Sequence, residues 1–291
     1  MAAHIERTLS DERSPLVPHT PSQSLRPRLV ALDMDGTLLT SEGKIPQRFW
    51  SVLARAHAAE MIITPASGRQ LATLRTMFAE QAHGCRPETF IAENGAVVFH
   101  GGDIVSTTTM PEPPVRRLLH SVPHAPFRAH TVVCTPEVAY TVSDLPEQID
   151  AEVAKYYAAR EKVGALTHAP TSETIKIALY VESDAETDAL PWVRETAPEL
   201  RVLVSSTHWL DIMDPEADKG TALLALGDTL GIAQAETAAI GDYLNDVMML
   251  QSAGVAVAMG NAHVDLKAIA DEVIGDNDNE AAVTRLEQWL A

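Results

Sequence analysis

The sequence predicts an α/β fold: a parallel-sheet core assembled from both ends of the chain, with a second, mixed unit inserted between them. Three observations predict it. Short apolar runs that end abruptly in Asp or Gly recur near both ends of the chain, segments of helical period separate them, and the stretch between about 105 and 200 has a different, proline-broken style. The expected boundaries are a tail over 1–27, a core over 28–104 and 201–291, and an insertion over 105–200.

The tail holds Pro15, Pro18, Pro21 and Pro27 among polar residues and shows no hydrophobic period, so it reads as disordered. It also lacks the apolar stretch of a secretory signal, and a cytoplasmic protein is expected. Leu29-Val30-Ala31-Leu32 is a buried strand running into Asp33. Pro46 marks a helix start, with Phe49, Val52, Leu53 and Ala56 at helical spacing. Met61 to Thr64 is a second strand. Gln70 to Gln81 is a helix with Leu71, Leu74, Arg75 and Phe78 on neighbouring faces, and Phe90-Ile91-Ala92 is a third strand. The β-α-β-α-β alternation demands parallel pairing through right-handed crossovers.

Asn94-Gly95 is a turn signal, and Val97-Val98-Phe99, Gly101-Gly102 and Ile104-Val105 then read as a hairpin. Within the insertion, Ile175, Ile177 and Leu179 alternate with Lys176 and Ala178, the pattern of a half-exposed strand. On that reading Lys176 sits on a solvated face, the alternative being a reach toward the substrate. Core style resumes by about residue 203. A strand near Leu210-Asp211-Ile212 precedes Lys219-Gly220 at a helix start, Thr237 to Ile240 runs into Gly241-Asp242, and Gly254 to Ala258 runs into Met259-Gly260.

Composition removes several classes of function. With 22 basic and 40 acidic residues the formal net charge is −18, which repels nucleic acid and anionic lipid. No run approaches the ~18 apolar residues of a membrane span, whereas 46% hydrophobic residues suffice for a sizeable core. Cys85 and Cys134 are too few for a disulfide framework and read as small hydrophobes. His120 and His124 stand four apart, but Pro123 breaks the helix that must align them, so no zinc site is expected. Trp50, Trp192, Trp209 and Trp289 read as core or rim residues.

Chemistry concentrates in four separated segments. Asp33-Met34-Asp35-Gly36-Thr37 ends the first strand, where open α/β sheets bind ligands. Its two carboxylates converge on one pocket, one as nucleophile and one as proton shuttle, and like charges so close call for a cation such as Mg²⁺. Ser67-Gly68-Arg69 follows the second strand and offers a hydroxyl, flexible backbone and a bidentate cation to phosphate. A helix cap is the other reading of Ser67, and a structural salt bridge that of Arg69. Lys219-Gly220 is the third segment. Gly241-Asp242-Tyr243-Leu244-Asn245-Asp246 is the fourth, with carboxylates four apart at a helix start.

This ordered set resembles the haloacid dehalogenase (HAD) superfamily, and within it the Cof-type phosphatases, over residues 29–290. The Glu93-Asn94-Gly95-Ala96 turn, the stretch from Val257 to Ala262 and Ala270-Asp271-Glu272-Val273 carry the same likeness, although Asn94 also fits a plain turn. The resemblance implies a Rossmann-like core with an inserted α+β cap and a Mg²⁺-dependent phosphatase. It implies Asp33 as nucleophile, Asp35 as acid and base, and Lys219 as the neutralising cation. Ser67, Gly68, Arg69 and Asn245 would bind phosphate. Asp33, Asp242 and the Asp35 carbonyl would hold Mg²⁺, and Asp246 would support Lys219 or a metal-bound water. Ser67 stands where close relatives often have Thr, and Tyr243 where a small residue is commoner. The implied partner is a small phosphorylated substrate such as a sugar phosphate or phosphorylated cofactor, not nucleic acid or membrane. The alternatives are a phosphomutase using the same residues and a non-catalytic binding protein on the same fold. A P-type pump is excluded for want of a span.

Overall fold

The computed structural model describes residues 26–81 and 84–291. All of the expected tail except Arg26 and Pro27 lies outside the described residues.

The first sheet has eight strands in the order β14-β13-β12-β1-β2-β3-β4-β5. Its centre is β1 (Leu29–Asp33), paired in parallel with β2 (Ile62–Ala66) on one side and β12 (Thr237–Gly241) on the other. β3 (Thr89–Ala92), β13 (Val255–Ala258) and β14 (Glu272–Val273) extend the parallel set outward. Every residue of β1 and β12 is buried, because helices cover both faces of such a sheet; this is why these strands read as unbroken apolar runs. β4 (Val97–His100) and β5 (Asp103–Thr107) form the expected antiparallel hairpin at the edge. The helices are α1 (Gln47–Ala58) and α2 (Leu71–Gln81) early in the chain, and α6 (Lys219–Leu230), α7 (Val247–Ser252), α8 (Val264–Ile269) and α9 (Ala281–Trp289) late in it. A run of edge-to-face rings from Phe49 and Trp50 of α1 through Phe78 of α2 to Phe90 of β3 joins helix to sheet at centroid spacings of 5.6–6.2 Å.

The second sheet has six strands in the order β10-β11-β9-β6-β7-β8: β6 (Ala129–Cys134), β7 (Ala139–Val142), β8 (Arg160–Val163), β9 (Lys176–Val181), β10 (Arg201–Val204) and β11 (Trp209–Met213). All its pairs are antiparallel except β7 with β8. α3 (Glu112–Ser121), α4 (Glu147–Ala154) and α5 (Leu190–Thr196) complete this unit. The sequence returns the chain to the core at residue 201, whereas β10 and β11 still pair within the second sheet and the chain leaves it only after Met213. Two short apolar strands look alike whichever sheet they join.

The reading of β9 is also corrected. Ile177, Leu179 and Val181 pack with Val115 and Leu118 of α3 and Val193 of α5, as the alternation requires. The other face is not solvated, however: Lys176 and Ala178 are buried where the second sheet lies over the first unit, and Ala178 joins the same apolar cluster as β1 and β2. Burying a Val, Leu or Ile side chain contributes roughly 1.5–3 kcal/mol, so both faces of β9 stabilise the assembly. Cys134 is buried in that interface, while His120 and His124 are exposed.

Candidate active site

Three of the four motifs, and the turn that begins at Glu93, emerge at the carboxyl ends of parallel strands. Asp33 ends β1, Ser67 follows β2, Glu93 follows β3 and Asp242 follows β12. Lys219 comes from the first turn of α6, which Asp218 caps: its Oδ1 accepts from the N–H groups of Gly220 at 2.7 Å and Thr221 at 2.8 Å.

Lys219 is wholly buried and its ammonium donates to Asp33 Oδ1 at 2.5 Å and to Asp246 Oδ1 at 2.7 Å. Asp246 Oδ2 in turn accepts from the backbone N–H groups of Asp242 at 3.0 Å and Tyr243 at 3.3 Å, so both its oxygens are occupied. Asp33 Oδ2 is buried and has no hydrogen-bond partner. Carboxylate oxygens of Asp33, Asp242 and Asp246 lie within 4.8 Å of one another. One ammonium among three carboxylates leaves this cluster short of positive charge. Burial first and Asp246 second push the Asp33 pKa up to about 8 against the pull of Lys219, and the same two causes push Asp242 to about 7. Burial would lower the Lys219 pKa, but Asp246 and Asp33 outweigh it and hold the ammonium charged.

The loop after β1 wraps tightly around Asp242. Gly36 has φ +78°, a Cβ there would overlap Asp242 Oδ2, and its carbonyl accepts from Asn261 Nδ2 at 2.8 Å. The donor set, hard carboxylate oxygens with one buried oxygen unpartnered, fits a small divalent cation such as Mg²⁺. Asp246 has no oxygen to spare, so Asp33 and Asp242 are the side chains with capacity to ligate.

In the second motif Arg69 makes the ion pair that was its other reading. The Arg69 guanidinium is a fork on Asp35, at 2.6 and 3.1 Å, rather than a free phosphate donor. Ser67 is buried and its Oγ accepts from the Arg69 N–H at 3.2 Å. Asn245 Nδ2 donates to Asn94 Oδ1 at 3.4 Å, and a Cβ at Gly68 would press on the Asn94 amide at 3.0 Å, so these residues meet at one place.

Glu93, Asn94 and Gly95 all have positive φ, at 51°, 54° and 100°. Only glycine adopts this without cost, and a Cβ at Gly95 would collide with the Asp218 carbonyl beneath it. Gly95→Ala is therefore expected to destabilise the fold by at least about 2 kcal/mol, read from urea unfolding; an unchanged midpoint would show that the loop yields freely.

Sequence reasoning missed the far wall of the site. Glu93 is buried and ion-paired with Lys176 of β9, whose Nζ also lies 3.5 Å from the Gly68 carbonyl and 3.9 Å from Asp211 Oδ1. Asp211, Ser205, Tyr156, Tyr157 and Trp209 line the same cavity, which has a volume of about 690 Å³. The available signal was a charge interrupting an apolar strand, Asp211 in Trp209–Met213 and Lys176 at the head of β9.

A family model of haloacid dehalogenase-like hydrolases matches residues 30–286. The chain belongs to that family. Members similar to it include the HMP-PP phosphatase of Cronobacter sakazakii, 28% identical over 90% of this chain and 96% of that protein. The phosphatase YwpJ of Bacillus subtilis is 28% identical over 90% of this chain and all of its own length. A solved haloacid dehalogenase-like hydrolase from B. subtilis superposes with a TM-score of 0.75 at 26% identity, covering 89% of this chain and 99% of that one. This haloacid dehalogenase-like hydrolase is a phosphatase, a phosphoric monoester hydrolase with a parallel-sheet core and a cap. Among the described residues no helix is long and apolar enough to cross a membrane.

Proposed function

We propose that the chain is a Mg²⁺-dependent phosphatase of small phosphorylated metabolites, working through an aspartyl-phosphate on Asp33. The observation that carries this reading is Asp33 Oδ2: a buried carboxylate oxygen without a partner, at the wall of a cavity sized for a small molecule. Asp33 Oδ2 attacks phosphorus as the bond to the leaving oxygen breaks, and Asp35 gives that oxygen its proton. Asp35 then takes a proton from the water that attacks the acyl phosphate, which frees Asp33 and inorganic phosphate. Lys219 offsets charge on Asp33 throughout and Asp246 fixes its ammonium. Arg69 occupies both oxygens of Asp35 through its fork, so that fork opens when Asp35 takes up from solvent the proton it gives to the leaving oxygen. Ser67, the Gly68 backbone and Asn245 face the transferring phosphoryl oxygens. Asp33, Asp242 and the Asp35 carbonyl would hold the Mg²⁺. When bound, the ion shields the anionic nucleophile from the phosphoryl charge. The second sheet closes the cavity and excludes polymers, which favours small substrates.

The test is phosphate release from a panel of phosphorylated metabolites and p-nitrophenyl phosphate, with Mg²⁺ or with EDTA. Removing the metal is expected to lower the rate at least about 100-fold and re-adding it to restore it. Equal rates in EDTA would overturn the metal requirement. An isomerised sugar phosphate in place of free phosphate would overturn the hydrolytic reading.

A further inference from the structure

Opposite the strand-end carboxylates, the cavity is closed by the second sheet. Trp209 forms the floor of that wall, edge-to-face with Tyr156 at 5.6 Å between centroids and tilted against Tyr157 at 6.4 Å. Its indole N–H is buried and has no hydrogen-bond partner. Two residues on, Asp211 is 7% exposed, and its Oδ2 accepts from Ser205 Oγ at 2.7 Å. Its Oδ1 stands 3.9 Å from Lys176 Nζ, whose closer partner is Glu93.

The cations around the cavity are already engaged. Arg69 is forked on Asp35, Lys176 lies between Glu93 and Asp211, and Lys219 is divided between Asp33 and Asp246. Among the described residues lining the cavity, none offers a free cation to a second anionic group on the substrate. What the wall does offer is an acceptor on Asp211 and the aromatic surface of Trp209 and Tyr156.

We infer that this wall selects phosphomonoesters whose leaving group is uncharged or cationic, presents hydroxyl or amine donors to Asp211, and rests an apolar face on Trp209 and Tyr156. The inference rests on the phosphatase reading. A second carboxylate or phosphate on the substrate meets Asp211 with no cation to spare, and like charges brought together across an interface are strongly disfavoured. A leaving group without donors leaves Asp211 Oδ1 with only Lys176 at 3.9 Å, a contact longer than a hydrogen bond, and forgoes the partner that a hydroxyl or amine would supply. Hydrogen-bond donors arrayed round an aliphatic or aromatic ring match both demands, because the ring face packs on Trp209 and Tyr156 while its edge reaches Asp211.

The experiment compares kcat/KM for glucosamine 6-phosphate, glucose 6-phosphate and 6-phosphogluconate, three esters of similar size whose leaving groups carry an amine, hydroxyls only, and a carboxylate. The wild-type enzyme is expected to prefer the first two over the third by about tenfold or more. Asp211→Asn, which keeps the shape and removes the charge, is expected to narrow that preference to within about threefold. A purely structural role for Asp211 would lower all three rates together and leave their ratios alone. Equal wild-type use of 6-phosphogluconate, or unchanged ratios in Asp211→Asn, would overturn the assignment. Turnover of p-nitrophenyl phosphate by the wild type separates the two claims. If it is hydrolysed while the ratios fail, the wall assignment falls and the phosphatase stands; if no ester is hydrolysed, both fall.

Discussion

Asp33→Asn is expected to lower kcat roughly 10⁴-fold or more while leaving the protein folded. The amide has the size of the carboxylate and retains one oxygen able to accept from Lys219, but it lacks the anionic oxygen that the proposed mechanism uses to attack phosphorus. Stability is expected to hold or rise. Burial and the neighbouring Asp246 already work against the charge on Asp33, pushing its pKa to about 8, so a neutral group there relieves repulsion within the cluster. The check is a phosphate-release assay beside a thermal melt of the same preparation. Asp33→Asn that melts like the wild type yet releases no phosphate isolates the chemistry from the fold. Retention of more than a few per cent of the wild-type rate would place the nucleophile elsewhere, and Asp242 would be the next carboxylate to test.

The carboxylate cluster at the strand ends was legible because the residues that form it fall within short spans. Asp33 and Asp35 two apart, and Asp242 and Asp246 four apart, keep their meaning without knowledge of the partner strands. Partnership was not legible. Arg69 announces a bidentate cation, but only the fold reveals that Asp35 occupies it. The alternation in β9 gave the direction of each side chain, not what covers each face, so Lys176 read as solvated although Glu93 of the other unit meets it. Trp209–Met213 carries no local mark of which sheet it joins, which misplaced the return to the core. Glu93 was the hardest to foresee: a left-handed φ at a non-glycine residue is a cost that tertiary contacts must offset, and local propensity argues against it. The cap wall was hidden for a related reason. Tyr156 stands far along the chain from Ser205, Trp209 and Asp211 of the β10–β11 hairpin, and the four become a site only when the second sheet folds.

Lys219→Met carries the second large effect, on stability and rate together. Methionine matches the lysine stem in length and apolar character, so the change removes the charge with little loss of packing. What remains is Asp33 and Asp246 facing each other in a buried site with no ammonium between them. Removing one partner of a buried ion pair costs about 3–5 kcal/mol, because the other is left uncompensated. For a chain of this size that corresponds to a fall in Tm of roughly 10 °C. The rate is expected to fall about 100- to 1000-fold, since the transferring phosphoryl group loses a fixed positive charge that needs no reorganisation. Mg²⁺ supplies the discriminating measurement. A cluster short of positive charge gains more from a bound cation than one that keeps its lysine, so Mg²⁺ is expected to raise the Tm of Lys219→Met by more than it raises the Tm of the wild type. Double substitution of Lys219→Met with Asp246→Asn is expected to recover part of the stability but none of the rate, because it removes the repulsion without restoring the cation. If Lys219→Met alone melts with the wild type and still releases phosphate, the ammonium is not what holds Asp33 in its attacking form, and the charge on the nucleophile would have to be balanced by the metal alone.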